Sequence, residues 1–214
     1  MNKLSFNGTI TSIQPRIRLT RSFDEASHTY LGYAIKITGT IDSPETIPSN
    51  QNTFSIGIGK AAQAKFNFKV NDIISGDCLP VPDPEMEPAD YYKVSRLSKI
   101  SEGEQGSLSV PWELVPPELE VYRERGHRRL SAKTYDTKCS SCIWGARMPV
   151  EIIVDHWNPR GRRKYRFETF CYGPLSCKSY KAGPNRKVEG RNGMVYVEED
   201  WVDEEMTGHR EMDE

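Results

Sequence analysis

Apolar and polar residues alternate with a period of two along the first hundred residues, which is the pattern of half-buried β-strands. Isoleucines and leucines recur among polar residues at 4–19, and the segment 30–41 alternates at Ile35 and Ile37. The alanine-rich segment 60–66 predicts a short helix. Three further strands are predicted at 53–58, 72–81 and 91–100. The pattern therefore indicates a mainly β fold.

The second half carries fewer elements, which are separated by turn-forming residues. Glycines and prolines from 101 to 117 predict a linker. The Asn-Pro-Arg-Gly sequence at 158–161 is a turn signal, and apolar alternation on both sides of it predicts a β-hairpin. The elements predicted here are a short basic helix within 117–130, strands at 149–156, 164–172 and 194–197, and an acidic helical turn at 200–206.

The first elements follow the order strand, strand, strand, short helix, strand, strand. The segment 68–77, FKVNDIISGD, combines a hydrophobic residue, a turn pair and a glycine, as at the start of the fourth strand of many small barrels. This order and this segment resemble the OB-fold, a five-stranded Greek-key barrel. The resemblance implies a five-stranded OB-like barrel over residues 1–100. The composition of the next residues, 101–130, predicts a linker with a short basic helix. Another small barrel, for example an SH3-like one, is the alternative.

Four of the five cysteines form two close pairs in the second half. Two residues separate Cys139 from Cys142, and 28 residues further on Cys171 and Cys177 are separated by five. Two thiol pairs at the ends of a hairpin match the ligand set of a tetrahedral structural zinc site. We therefore expect Zn²⁺ as the cofactor, bound by all four thiolates in a zinc ribbon at 131–197.

The residues around the cysteines add detail to this expectation. The Cys-Ser-Ser-Cys turn followed by Ile, Trp and Gly145 resembles a zinc knuckle, in which backbone amides point at the sulfurs. The second pair departs from the usual two-residue spacing, although Gly173 and Pro174 allow its loop to curl. A reduced dithiol or redox pair is the alternative. Cys78 stands alone in an apolar stretch and is expected to be a buried small residue.

No sequence motif of a common enzyme class is present. The Gly-Ile-Gly-Lys sequence at 57–60 lacks the spacing of a phosphate-binding P-loop. A site closed by four thiolates also leaves no open coordination position for catalysis. His127 and His156 are conceivable extra ligands but are expected to be structural or solvent-facing. These features predict a binding protein rather than an enzyme.

The net charge of −1 hides a strong asymmetry. Residues 115–191 contain 17 Lys and Arg against 8 Asp and Glu, whereas 192–214 contain 1 against 9. A basic block of this kind predicts a polyanionic partner. The acidic segment 198–214 is predicted to be a tail that either competes for the basic surface or keeps the protein soluble.

Basic and aromatic residues occur together at the tip of the predicted hairpin. Guanidinium groups match phosphates, and aromatic faces stack on unpaired bases, so this composition predicts binding of single-stranded DNA or RNA. A solvated hairpin tip is the alternative. The candidate residues are Trp157, Arg160, Arg162, Arg163, Lys164, Tyr165 and Arg166, with a second basic stretch at Lys181, Arg186 and Lys187.

The barrel itself supplies a second candidate surface. Alternation places Arg16 and Arg18 on one face of the first strand. OB-folds bind oligonucleotides on their second and third strands. Here Tyr30, Tyr33 and Phe54 are the aromatic rings available there, unless they pack inside the barrel.

Two other functions remain open at this point. Acyl-CoA-associated proteins also combine an OB-fold with a zinc ribbon, in the reverse order, and a scaffold in a larger complex would use the ribbon to bind a protein partner. The sequence contains no apolar run of membrane-spanning length and no apolar stretch of signal-peptide length near Met1. We therefore expect a cytoplasmic protein without a membrane partner. Thiols stay reduced in the cytoplasm, so paired cysteines there favour a metal over a disulfide.

Overall fold

The computed structural model describes residues 3–23, 25–42, 52–103, 115–155, 157–158 and 160–211 of the chain. Strands dominate the regular structure of this part, so the fold is mainly β, as the sequence predicts. The strands are β1 (Leu4–Ser22), β2 (Glu25–Ile41), β3 (Asn52–Ile58), β4 (Ile73–Pro80), β5 (Tyr91–Ser101), β6 (Arg128–Arg129), β7 (Gly145–Ile153), β8 (Arg163–Cys171), β9 (Arg186–Glu189) and β10 (Val195–Glu198). The helices are α1 (Lys60–Phe66), α2 (Leu119–Arg125), α3 (Ala132–Thr134) and α4 (Asp200–Thr207), with a π-helical turn at Tyr135–Cys139 and 3₁₀ turns at Pro84–Met86 and Arg191–Gly193.

Five strands close into a ring. Hydrogen-bonded neighbours run in the order β2-β3-β5-β4-β1, and β1 pairs again with β2. The β1–β2 pairing is antiparallel from Phe6 opposite Ile41 to Ser22 opposite Glu25. In the chain, α1 stands between β3 and β4. The N-terminal half is thus barrel-like, which agrees with the predicted class of fold.

The inward side chains of the ring form its core. Ile10 and Ile13 of β1 and Ile35 and Ile37 of β2 are fully buried. A register shift between Ile10 and Ser12 marks a bulge, which lets two isoleucines three positions apart both face inward. Burial of each such side chain contributes about 1.5–3 kcal/mol.

The second half extends the same sheet. β7 pairs in parallel with the end of β1, from Leu19 opposite Val150 to Ser22 opposite Ile153, and β8 and β6 follow in the order β1-β7-β8-β6. Val150 and Phe170 belong to the same buried cluster as the barrel isoleucines. The predicted barrel and the predicted ribbon therefore share one sheet and one main core, and they are not two separately packed bodies.

The end of the predicted linker also belongs to this core. Leu119 and Tyr122 of α2 are buried, and the Tyr122 hydroxyl donates to the Ile143 carbonyl at 2.8 Å. The Tyr33 hydroxyl of the barrel donates to the Pro117 carbonyl at 2.7 Å. Much of the linker, 104–114, lies outside the described residues. None of the helices in the described ranges is long and apolar enough to cross a membrane.

The acidic C-terminal segment is folded against the body wherever the structure describes it. Glu198 is buried and pairs with Arg21 at 2.8 Å. Arg129, which is fully buried, pairs with Asp200 at 2.5 Å and with Asp203 at 3.0 Å. Three carboxylates of the predicted tail are therefore internal ion-pair partners. The segment from Glu198 to Asp203 is therefore tied to the body by ion pairs, and whether the acidic segment competes for the basic surface stays a prediction.

Candidate functional site

The β7–β8 hairpin brings the two cysteine pairs to one end of the molecule. Gly145 at the start of β7 lies opposite Cys171 at the end of β8. Cys139 and Cys142 precede β7 in a turn closed by the Cys142 amide donating to the Cys139 carbonyl at 3.1 Å. Cys177 lies beyond β8 in a second turn, where its amide donates to the Pro174 carbonyl at 3.2 Å. All five cysteines of the chain have free thiols.

Backbone amides point at two of the sulfurs. The amide of Gly173 donates to Cys171 Sγ at 3.4 Å, and the amide of Trp144 donates to the Cys142 thiol. Hydrogen bonds of this kind orient thiolates and spread their charge. A Cβ at position 145 would lie 2.4 Å from the Cys139 carbonyl oxygen, so the first turn requires glycine there.

The first cysteine turn is fastened to the barrel. The side-chain amide of Gln14 on β1 donates to the carbonyls of Cys139 at 2.8 Å and Cys142 at 2.9 Å. The Tyr135 hydroxyl donates in turn to the Gln14 side-chain oxygen at 2.6 Å. Gln14 and Tyr135 are both buried. Sequence reasoning missed Gln14, because a glutamine in a strand is usually a solvent-facing residue.

The four thiols of the two pairs act on each other electrostatically. Burial raises the pKa of Cys139 to about 11, and the negative charge of Cys171 and Cys177 adds to this increase. Burial likewise raises the pKa of Cys142 to about 12; the Trp144 amide opposes this rise, while Cys171, Cys139 and Cys177 add to it. Burial also raises the pKa of Cys171. A divalent cation would reverse this mutual repulsion and displace the protons.

The donor set of four cysteine thiols fits Zn²⁺ by chemistry. Within the residues that the structure describes, no group of three or more His, Cys, Asp or Glu side chains is arranged to hold a metal ion. Cys139, Cys142 and Cys171 nevertheless pack in one small buried cluster. The four-thiolate assignment therefore stays a prediction.

The other residues considered as ligands are Cys78 and two histidines. Cys78 is buried in the barrel core with its pKa raised to about 11, mainly by burial. His127 is buried against His28 and Phe170, with ring centroids 4.7 and 4.6 Å away. His156 lies outside the described residues.

The basic residues predicted at the hairpin divide into two groups. Arg163 pairs with Glu151, Lys164 with Glu189 at 2.5 Å, and Arg166 with Glu168 at 2.6 Å. A second, unpaired group consists of exposed cations for which the described residues supply no ion-pair partner. Its members are Arg160, Arg162, Lys181 and Lys187.

Arg186 belongs to neither group. It is buried, lies over the Phe170 ring at 4.1 Å, and pairs with Glu168 at 3.0 Å. Burial lowers its pKa to about 10 despite the neighbouring Glu168. Its predicted role in binding nucleic acid conflicts with this interior position.

One face of β8 presents aromatic rings to solvent. Arg163, Tyr165 and Phe167 alternate outward, and the two rings are 40% and 37% exposed. Arg147 of β7 lies over the Phe167 ring at 4.7 Å, so it shares this face. We call Arg147, Arg163, Tyr165 and Phe167 the hairpin face. Sequence reasoning missed Arg147 and did not include Phe167 among the binding residues, although the period of two from Tyr165 points to it. Trp157, near the tip, is 81% exposed.

The barrel arginines and rings are engaged inside the molecule. Arg16 makes a two-pronged ion pair with Glu87, at 2.6 and 2.5 Å, and Arg18 donates to the Met86 carbonyl at 3.1 Å. Tyr33 and Phe54 are buried in the barrel core. The barrel surface predicted from these residues therefore offers neither free guanidinium groups nor two of its three rings.

Tyr30, the third ring, is half-buried beneath the Arg123 guanidinium at 4.9 Å.

No protein-family model matches this chain, and comparison with curated proteins and with solved structures gave no match either.

Proposed function

We propose that this protein binds single-stranded nucleic acid on the hairpin face and hairpin tip and does not catalyse a reaction. The observation that carries the proposal is the pair of exposed rings on one side of β8, with Arg147 beside them and exposed arginines at the hairpin tip. Tyr165 and Phe167 offer aromatic faces, and Arg147, Arg160 and Arg162 offer guanidinium groups that no carboxylate of the described residues pairs. Unpaired cations next to exposed rings are what a strand of phosphates and unstacked bases requires.

The arrangement favours single strands over duplex. Tyr165 and Phe167 stand on one face of the β7–β8 part of the sheet, where unpaired bases can stack on them. Stacking of this kind contributes about 1–3 kcal/mol per base and tolerates any sequence. In a duplex the bases already stack on each other, so the rings gain nothing comparable.

We also propose that the ring-closed sheet is an OB-fold barrel. The strand order β1-β2-β3-β5-β4-β1, the parallel contact of β3 with β5 at Ile56 opposite Tyr91, and α1 between β3 and β4 support this assignment. The nucleic-acid surface then differs from that of a typical OB-fold, because the exposed rings lie on the hairpin and not on the second and third strands.

Zn²⁺ bound by Cys139, Cys142, Cys171 and Cys177 is the cofactor we propose. The two amide–sulfur hydrogen bonds and the mutual effect of the thiols on their pKa values support it. A bound Zn²⁺ supplies a structural cross-link here. The residues around it fasten the base of the hairpin, and Gln14 connects that base to the barrel.

The test is the affinity for single-stranded DNA, single-stranded RNA and duplex at low and moderate salt. We expect single strands to bind more tightly than duplex, with a Kd that rises steeply with salt. The double variant Arg160→Ala/Arg162→Ala should reduce the salt slope by about 0.7 per lost phosphate contact. The matched control is Lys65→Ala/Lys93→Ala, which removes two exposed lysines of the barrel and leaves the slope unchanged.

A role as a protein scaffold is the second candidate. Exposed apolar side chains favour it, namely Trp157, Met194, Val195 and Trp201 at 81%, 50%, 47% and 50% exposure. A protein that binds no oligonucleotide at low salt would overturn the nucleic-acid proposal and leave this candidate in its place.

A further inference from the structure

Two cavities meet at Arg147. The first, of about 370 Å³, lies between the barrel strands β2 and β3 and the turn that carries Cys139, and its lining includes Lys36, Ser55 and Ser140. The second, of about 420 Å³, adjoins Phe167 and Lys187 on the β8 side. Both volumes fall in the range of sites that hold small ligands, roughly 300–1,000 Å³. Asp136 and Arg147 line both cavities, so the two adjoin at these side chains, and we call them together the groove.

The groove carries unpaired positive charge. Lys36 and Arg147 are exposed, and no carboxylate in the described part of the chain lies within ion-pairing distance of either. Of the two aspartates in the lining of the first cavity, Asp90 accepts from the Ser55 amide and hydroxyl at 2.7 Å each, which fixes its carboxylate but leaves its negative charge. Asp136 is exposed and is the acidic group that faces both cavities.

The groove continues the hairpin face directly. Arg147 lies over the Phe167 ring and opposite Thr169 in the β7–β8 register. From Arg163 to Thr169 the strand rises about 20 Å at roughly 3.3 Å per residue. A bound strand that follows this face from the tip thus reaches Arg147 and the cleft beyond it without turning back.

Side-chain hydrogen bonds fix one wall of the first cavity, which we call the cleft. Tyr135 and Gln14 both line it, and they are joined by the 2.6 Å hydrogen bond between their side chains. Gln14 also holds the carbonyls of Cys139 and Cys142. The cleft is therefore formed before any ligand enters, which lowers the entropic cost of binding.

We infer that a single nucleic-acid strand bound on the hairpin face continues past Arg147 into the cleft beneath Lys36, and that Asp136 weakens its binding there. This inference rests on the proposed function and extends it to a second part of the site. Guanidinium and ammonium groups on one path complement successive phosphates, whereas a carboxylate between them repels the same phosphates.

The test compares short and long oligothymidylates of about 4 and about 16 nucleotides, which span the usual range of site sizes for one barrel of this kind. The variants are Lys36→Ala for the cleft, because Lys36 lines the first cavity and is not part of the hairpin face, and Arg160→Ala/Arg162→Ala for the tip. We expect the cleft variant to weaken binding of the long oligonucleotide about 10-fold and of the short one less than 2-fold. We expect the tip variant to weaken binding of both.

The variant Asp136→Asn tests whether the Asp136 carboxylate weakens or strengthens binding of the strand. It should tighten binding of the long oligonucleotide about 3-fold at low salt, whereas the control Glu205→Gln, an exposed carboxylate on α4, should not. Circular dichroism melting of each variant confirms that it is folded.

The results distinguish loss of the groove contact from loss of nucleic-acid binding as a whole. If the unmodified protein binds neither oligonucleotide, the proposed function itself is overturned. If it binds both, and the cleft variant weakens both equally or neither, the groove is overturned while binding at the hairpin stands. Weaker binding by Asp136→Asn would overturn the repulsive role of Asp136, because the carboxylate would then contact the bound strand, and the path through the cleft would stand.

Discussion

Strand β1 of the barrel and the tip of the β7–β8 hairpin both carry closely spaced arginines, and the two sets have different surroundings. Arg16 and Arg18 face the 3₁₀ turn at Pro84–Met86, which supplies the Met86 carbonyl and is followed by Glu87. Arg160 and Arg162 are exposed and have no ion-pair partner among the described residues. The number of arginines in a segment thus says little about binding until the nearest carboxylates are known.

The aromatic residues of the two regions repeat this difference. Phe54 of the barrel is buried between Phe6 and Tyr91, at ring-centroid distances of 6.2 and 5.9 Å. Tyr165 and Phe167 of the hairpin remain exposed, because β7 pairs with the edge of their strand and does not cover the face on which the two rings stand. The barrel region therefore carries stability, and the hairpin region carries surface available for a ligand.

The cysteines give the largest expected contrast between the regions. Cys142→Ser should lose bound zinc and unfold the hairpin base, because structural zinc contributes about 10–16 kcal/mol of apparent binding energy in small zinc modules. Elemental analysis should find about one zinc per unmodified chain. The matched control is Cys78→Ala in the barrel core, which should keep the metal. Equal zinc content in the two variants would contradict the four-thiolate assignment.

The arginines should separate stability from binding. Arg16→Ala leaves the buried Glu87 carboxylate without its partner and should lower the free energy of unfolding by about 3 kcal/mol. Arg160→Ala/Arg162→Ala should change it by less than about 0.5 kcal/mol, as exposed substitutions usually do. Urea melts and oligonucleotide titrations of both variants make the comparison. Loss of oligonucleotide affinity in folded Arg16→Ala would return the barrel face to the binding site.

Acid should weaken the contact between the two regions. Burial, followed by the charge of Arg21, lowers the pKa of His28 to about 4, and burial lowers that of His127 as well, with His28, Arg186 and Arg21 adding to the effect. Glu168 opposes the shift of His28. In the unfolded chain both histidines take up protons near pH 6.5.

The folded protein does not protonate these histidines at pH values where the unfolded chain does. The free energy of unfolding should therefore have its full value above pH 6.5 and fall as the pH drops from there towards 4. The slope is about 1.4 kcal/mol per pH unit for each histidine. Urea melts between pH 7 and pH 4.5 measure the slope, and His28→Phe should reduce it. An unchanged slope in a folded His28→Phe variant would contradict the contribution of His28 and leave His127 or carboxylates as the source of the acid sensitivity.

The smallest expected effect concerns a single ring. Tyr165→Ala should weaken binding of single strands about 10-fold, which corresponds to about 1.4 kcal/mol of lost stacking. Tyr165→Phe keeps the ring and should bind normally, although it loses the 3.4 Å contact of the hydroxyl with Glu151. Equal losses in both variants would show that the hydroxyl, and not the ring, contributes the affinity.

The sequence by itself determined the longer strands, the short helix α1 and the β7–β8 hairpin that joins the two cysteine pairs, but it did not predict β6 and β9. These features depend on local patterns: alternation at Ile35 and Ile37, the alanines of α1, and the turn at 158–161. Each pattern acts over a few residues, so a reader of the sequence can recognise it without knowing the fold.

Only the tertiary structure decided which charges and rings are free. Glu87 lies 71 residues from Arg16, Asp203 lies 74 from Arg129, and Gln14 lies 125 from Cys139, so no local pattern reveals these pairs. The parallel pairing of β1 with β7 likewise joins the two predicted units into one core. Burial and ion pairing depend on contacts between distant segments, and those contacts form only when the sheet closes.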